Sequence, residues 1–224
     1  DVALVTADTH GLRCVLIQRK EHPDRGKWSL PGGFVNMEES LEQAANRVLA
    51  TKVGVGDIFL EQLYTFGRPN RDPRTRVISV AYYALVDPQQ LAFLAADHQA
   101  SLATLDVPWK GERRGPVKVR SDSGKPLPLA FDHAEILGWV VQRLRGKLDY
   151  AAIGFELLPR QFTLRMLQTI HETILGRKLN KDSFRRRMLA TGLLKPTGQL
   201  EQDVGHRPAE LYRFKRAAMR KSRD

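Results

Sequence analysis

The residues of this chain best suited to chemistry are arginines, a pair of glycines and two aromatic rings. Arg19, Arg71, Arg74 and Arg76 carry planar forks that match phosphate oxygens two at a time. Asp72 lies among them in the polar loop Gly67-Arg-Pro-Asn-Arg-Asp-Pro-Arg74. Gly32-Gly33 lets backbone approach a ligand closely, because neither residue has a Cβ. Trp28 and Phe66 each offer a face on which a base can stack. Arg47 and Lys52 add two cations on a segment of helical periodicity. These types together suit a small anionic ligand that bears a base.

A metal has no obvious holder. Positions 48, 51 and 52 are spaced i, i+3, i+4, so their side chains share one helix face. Carboxylates so placed could share a divalent cation. The chain has Val48, which offers no ligand, Thr51, a weak neutral one, and Lys52, a positive charge where a cation would sit. Glu38, Glu39 and Glu42 remain, but at the other end of the helix. The segment 33–55 resembles the Nudix box: Gly33, Glu39, Arg47, Leu49, Gly54 and Val55 fall at the expected spacing. The three substituted positions are those of the box's metal-binding glutamates. The resemblance therefore implies a Nudix scaffold with no catalytic residue and no bound metal. Lys52 either takes a phosphate in the metal's place or points to solvent.

The net charge of +11 is unevenly divided. Residues 1–155 carry a net +2, whereas 156–224 carry 16 Lys+Arg against 7 Asp+Glu. Basic charge concentrated in the last third is the footprint of a polyanion-binding surface. A hydrophobic content of 42% supports packed cores. No apolar run approaches the ~20 residues that span a bilayer, so no membrane partner is expected. The lone Cys14 lies in an apolar run and reads as a buried thiol. With no leader recognisable, the reading is a cytoplasmic protein associated with the nucleoid.

The elements that must position these residues follow from periodicity. Val2–Thr6 and Arg13–Arg19 read as strands joined by a turn, and Trp28–Gly33 as a loop. Ser40 and Gln43 form a capping box for a helix striped by Leu41, Ala44, Ala45, Val48 and Leu49, which Gly54 stops. Phe59–Tyr64 and Arg76–Val86 read as strands. Residues 87–130 suggest a short helix and a hairpin turning at Ser121–Gly124. Asp132 caps a helix carrying Ile136, Leu137, Val140, Val141 and Leu144. Thr163 caps the next, with Leu164, Leu167, Ile170 and Ile174 at helical spacing and Gly176 at its end. Asn180 caps a second helix of this last third, Lys181–Ala190, followed by extended pieces at 193–195 and 210–214. Helix, turn, basic helix and hairpin is the order of a winged helix-turn-helix.

On a 100° projection of 181–190, Phe184, Met188 and Leu189 face inward. Ser183, Arg186, Arg187 and Ala190 face outward, and Arg185 falls at the edge of the core. Arginines and a serine there suit base edges and phosphates of a major groove. Lys178, Asn180 and Lys181 near the helix start, with Arg207 and Arg213 in the wing, suit phosphate contacts.

The whole chain resembles the Nudix-related transcriptional regulators that control bacterial NAD biosynthesis genes. The resemblance rests on the degenerate box, Tyr64–Gly67, Arg71–Arg74, Leu129–His133, Phe155–Pro159, Ile174–Lys178, Phe184–Arg186, Gly192–Leu194, Arg207–Ala209 and Leu211–Phe214. It implies an α+β protein: a Nudix domain (an α/β/α sandwich, 1–148) followed by a winged helix-turn-helix domain (149–224). It further implies a homodimeric repressor on palindromic double-stranded operator DNA, with ADP-ribose or a related NAD metabolite as effector and no required cofactor. The alternatives are a Nudix hydrolase acting on ADP-ribose or a nucleotide, with an accessory basic domain, and a repressor whose effector response has decayed.

Overall fold

A computed structural model describes residues 1–8, 10–56, 58–91, 100–111, 113–148, 157–202, 205 and 207–215. The first sheet is built from β1 (Val2–Asp8), β2 (Gly11–Gln18), β3 (Trp28–Ser29), β4 (Glu61–Phe66), β5 (Ser79–Leu85), β6 (Ala100–Asp106) and β7 (Lys118–Arg120). Its order is β4-β5-β1-β2-β6-β7, with β3 attached to the end of β2. β1 pairs antiparallel with β2 and parallel with β5, which places it near the centre.

Strand alternation divides the core in two. Val2 and Leu4 of β1, Val15 of β2, and Tyr82 and Ala84 of β5 face helix α1 (Leu41–Val53), meeting its Ala45, Leu49 and Val53. Ala3, Val5 and Ala7, with Leu12, Cys14 and Leu16, face helix α2 (His133–Lys147). That helix buries the five apolar residues expected of it, Ile136, Leu137, Val140, Val141 and Leu144. Each such side chain contributes about 1.5–3 kcal/mol by burial. Helices on both faces of one sheet make the α/β/α sandwich.

The second unit comprises β8 (Phe162–Thr163), α3 (Leu164–Leu175), α4 (Lys181–Ala190), β9 (Leu194–Leu200) and β10 (Glu210–Phe214), with strand order β8-β10-β9. Thr163 caps α3 by accepting from the Met166 amide, and left-handed Gly176 ends it. Asn180 caps α4 by accepting from the Ser183 amide at 3.0 Å. Leu167, Ile170 and Ile174 of α3 join the same apolar cluster as α2, and α3 packs over β1 and β2. The winged helix thus shares a core with the Nudix sheet. The expected junction at 148/149 touches 149–156, outside the described residues.

Several expectations shift. The strands foreseen at 59–64 and 76–86 are β4 and β5, displaced by a few residues at their starts. Leu41 is half in solvent, since the first turn of α1 overhangs the sheet. Between 87 and 130 the turn at Ser121–Gly124 is present, closed by Gly124 N–H donating to Ser121 O at 2.9 Å. The foreseen hairpin is there, with Ser121 N–H donating to Lys125 O, Leu127 N–H to Val119 O, and Arg120 bridged to Pro126. A short 3-10 helix occupies 88–91, and the strands β6 and β7 were not foreseen. Residues 92–99 of this region lie outside the described residues. Asp132 begins α2 but makes no side-chain cap bond. Its carboxylate grips Arg71 instead.

Candidate functional sites: an anion cluster and a nucleic-acid interface

The retained residues of the Nudix-like segment hold its own loop. Arg47 donates from Nε to Glu39 Oε2 at 2.8 Å and from Nη2 to both Glu39 Oε1 at 2.5 Å and Phe34 O at 3.0 Å. Glu39 also accepts from the Asn36 amide, and chiefly through the Arg47 bond its pKa is held at about 2. A Cβ on Gly33 would stand 3.0 Å from Val48 Cγ2, and Gly54 caps α1 in the left-handed conformation. Gly33 therefore serves helix packing rather than ligand approach, and Gly32 faces the Asp1 carboxylate. Loop and helix keep the geometry of a box whose ligands have changed.

At the three substituted positions nothing suits Mg²⁺. Val48 is buried. Thr51 Oγ1 donates to Arg47 O at 2.7 Å, so it bends back along its own helix. Lys52 Nζ donates to Gly32 O at 2.6 Å. Among the described residues no three His, Cys, Asp or Glu side chains stand together to hold a metal ion.

The arrangement instead gathers cations. Burial lowers the Lys52 pKa, and the neighbouring Arg19 and Arg47 guanidiniums lower it further. Glu21 acts on Lys52 in the opposite direction, and Arg47 is already paired with Glu39. Arg19 and Lys52 are thus the cations of this group not bound to a carboxylate in an ion pair among the described residues. Beside them Phe131 lies beneath the Arg19 guanidinium, 4.6 Å from its ring centre, with Arg74 at 5.9 Å. Phe131 has φ +50°, a left-handed conformation that costs a non-glycine residue about 1–3 kcal/mol. Its amide donates to Asp24 Oδ2 at 3.0 Å, which holds it there.

Other residues expected in this site have different tasks. Arg71 is enclosed, donating to Asp132 at 2.9 and 2.7 Å and to Asp1 at 3.3 Å. Its side chain is 6% exposed, so it is a buried ion-pair centre rather than an open phosphate fork. Phe66 is buried in an edge-to-face group with Tyr64 and Trp139 beneath α2, which removes it as a stacking platform. Trp28 packs partly buried against the main core, and its backbone bonds to Pro128 O and Ala130 N hold the segment that leads to Phe131. Asp72 is buried and locks Arg74 through two side-chain bonds of 3.0 and 2.7 Å. Arg74 is 46% exposed and still presents charge. Arg76 donates to Gly67 O at 2.7 Å and sits at the loop's base.

In the winged helix, Phe184 and Met188 are the buried residues of α4. Lys181, Ser183, Arg185, Arg186 and Arg187 are exposed. Leu189 is 41% exposed, contrary to the projection, because α4 docks through a narrow i, i+4 seam and the next position turns outward. Arg185 is exposed rather than at a core edge; it lies close enough to Tyr212 of β10 to act on its hydroxyl. The turn before α4 is clasped by buried Glu172, which accepts from Leu179 N, Gln168 Nε2 and Lys178 Nζ at 2.9–3.0 Å. These bonds, the Leu179 amide first, hold the Glu172 pKa at about 2. Arg207 and Arg213 are exposed on the wing side.

A family model described as the NrtR DNA-binding winged helix domain matches residues 154–214, and a NUDIX domain model matches residues 1–107. The ADPR responsive transcriptional repressor NtrR of Acinetobacter baylyi is 38% identical over 216 residues, covering 96% of this chain and 80% of that protein. The chain belongs to the NrtR family of Nudix-related transcriptional regulators. Shewanella oneidensis NrtR, solved in complex with a 27mer DNA, superposes with a TM-score of 0.77 at 34% identity, covering 96% of this chain and 92% of that one. A MutT/nudix family protein from Enterococcus faecalis gives a TM-score of 0.73 at 26% identity, covering 96% and 85%.

Against that family frame, sequence reasoning missed two residues. Phe131 was visible only within the motif Leu129–His133, and nothing in its type announces a strained, cation-flanked ring. His133 was missed as a structural polar group: buried, it accepts from Leu30 N at 2.9 Å through Nδ1, and its Nε2 lies 3.6 Å from Asp1 Oδ1. Burial lowers its pKa from 6.5 to about 3, so it is a neutral imidazole at physiological pH.

Proposed function

We propose that this protein is a DNA-binding transcriptional repressor whose Nudix domain binds ADP-ribose, or a related NAD metabolite, without cleaving it. The observation that carries this reading is the Lys52 ammonium standing, with Arg19 and Arg47 beside it, where a hydrolase of this fold would need carboxylates and Mg²⁺. Phosphates of the ligand neutralise that cluster, and Phe131 with Arg19 and Arg74 receives a flat group. The exposed arginines of α4 read an operator, with Lys178, Lys181, Arg207 and Arg213 on phosphates. Asn180 serves chiefly by capping α4 and fixing the pose of its first turn.

The Acinetobacter relative is a repressor that responds to ADPR, and the Shewanella relative binds DNA, which supports both halves of this reading. The chain acts as a homodimer on a palindromic site in the cytoplasm, with domains at 1–148 and 149–224. No described helix is long and apolar enough to cross a membrane.

Calorimetry together with a magnesium-dependent cleavage assay tests the proposal. ADP-ribose should bind with measurable heat and be recovered intact, and Lys52→Ala and Phe131→Ala should each weaken binding about tenfold. Metal-dependent release of AMP by the clean protein would refute it.

A further inference from the structure

Arg145 leaves helix α2 buried and reaches three backbone carbonyls with one planar head. Nε donates to Ile174 O at 2.9 Å, and one terminal nitrogen donates to Trp109 O at 3.2 Å and Gly111 O at 2.9 Å. The guanidinium also lies over the Trp109 ring, 4.8 Å from its centre. Trp109 Nε1 in turn donates to Gly115 O at 3.2 Å, and any side chain at Gly138 of α2 would collide with that same carbonyl. Trp109, Gly111 and Gly115 of the Nudix domain are therefore held against α2, and the Arg145 that holds the first two also holds the C-terminus of α3.

This fastening places charge. A Cβ on Gly176, the cap of α3, would come within 3.4 Å of Arg145, so the loop and the turn into α4 meet at one guanidinium. Lys110 and Arg113 are exposed on the loop, and Arg177 and Lys178 are exposed on the turn. Lys181 opens α4 immediately beyond. Arg114 is engaged elsewhere, 3.7 Å from the centre of the Trp139 ring. The nearby carboxylate of Glu172 is buried and already held by Lys178, so it does little to cancel the strip.

We propose that Lys110 and Arg113 form a second DNA-contacting surface, by which the Nudix domain itself grips backbone phosphates flanking the half-site that α4 reads. Phosphates fit better than bases, because Lys110 and Arg113 are exposed, flexible cations on either side of Glu112 in the sequence. The inference rests on the DNA-binding reading above and extends it from the winged helix to the first domain.

The test is a titration of two labelled duplexes from the gene's own upstream region: one long, one trimmed to the half-site edges. Wild type, the Lys110→Ala/Arg113→Ala double variant and Arg186→Ala are compared across salt concentrations, with circular dichroism confirming the fold. The double variant should bind the long duplex on the order of tenfold more weakly, and its salt slope should flatten by about two per chain, close to one per lost phosphate. Its affinity for the trimmed duplex and its preference for operator over scrambled sequence should be unchanged, whereas Arg186→Ala should lose preference on both. Unchanged affinity and salt slope on the long duplex, with wild type binding normally, would overturn the loop contact alone. Failure of wild type to bind either duplex would remove the function reading as well.

Discussion

Arg145 Nε donates to the Ile174 carbonyl at 2.9 Å, joining the last helix of the Nudix sandwich to the end of the first winged-helix helix. The same head satisfies two further carbonyls in the 109–111 loop. Removing it strands the buried Ile174 carbonyl and releases two partly exposed loop carbonyls. Arg145→Met should therefore cost on the order of 3 kcal/mol, read as a lower urea midpoint. A midpoint matching wild type would mean that the two domains hold together without this contact.

Arg71 and Arg74 stand three positions apart and should behave oppositely. Arg71→Ala leaves the Asp132 carboxylate buried and uncompensated, which should destabilise the fold by about 3–5 kcal/mol. Arg74→Ala should change stability by about 1 kcal/mol or less, since its side chain is 46% exposed, while weakening ADP-ribose binding. Denaturation and calorimetry on the two variants separate these outcomes. An unaffected fold in Arg71→Ala would return that residue to the phosphate site.

Acidification should destabilise the protein through two sets of groups. His133 is held neutral by burial, with a pKa near 3 in the fold against 6.5 when exposed. The unfolded chain takes up its proton first, so stability is complete above pH 6.5 and declines as the pH falls toward 3. Glu39, Asp72 and Glu172, all held near 2, contribute stability above their ordinary values of 3.8–4.5, and it drains away as the pH falls below these. His133→Asn, which can still accept from the Leu30 amide, should flatten the decline between pH 6.5 and 4 in thermal melts. A slope identical to wild type would contradict the buried-imidazole account.

The parts legible in the sequence were those written by local rules. The capping box at Ser40 and Gln43, the caps at Thr163 and Asn180, and the stops at Gly54 and Gly176 depend on neighbours a few residues away. The stripes of α2 and α3 were equally plain, because their apolar spacing is helical. β6 was missed: Ala-Ser-Leu-Ala-Thr-Leu-Asp has small and polar residues, and its strand character comes from pairing with β2, 83 to 91 positions earlier in the chain. For the ligand site, residue type identified cations but could not tell an open arginine from a buried one. Arg71 and Arg74 differ only in which carboxylate the fold brings to each.

The helix phase makes a sharp prediction about DNA. Arg186→Ala and Arg187→Ala should each cost about 1–3 kcal/mol of operator affinity and relax sequence preference, as loss of a bidentate guanine contact does. Arg185, turned toward Tyr212, should weaken all sequences alike when replaced by alanine. Competition binding against a panel of single-base operator variants measures this. Altered preference in Arg185→Ala, with the other two silent, would show that a different face of α4 enters the groove.

Coupling between the ligand site and the DNA-binding surface is what makes this protein a metabolite-responsive repressor. Fluorescence anisotropy of a labelled duplex from the gene's upstream region, titrated with the full chain in the absence and presence of saturating ADP-ribose, measures that coupling directly. The account predicts tight, salt-sensitive binding to a palindromic site and a shift in apparent Kd of about 5-fold or more when ADP-ribose is added, the size expected of 1 kcal/mol or more between linked sites. Superimposable curves with and without ADP-ribose, or no preference for the palindrome, would contradict it.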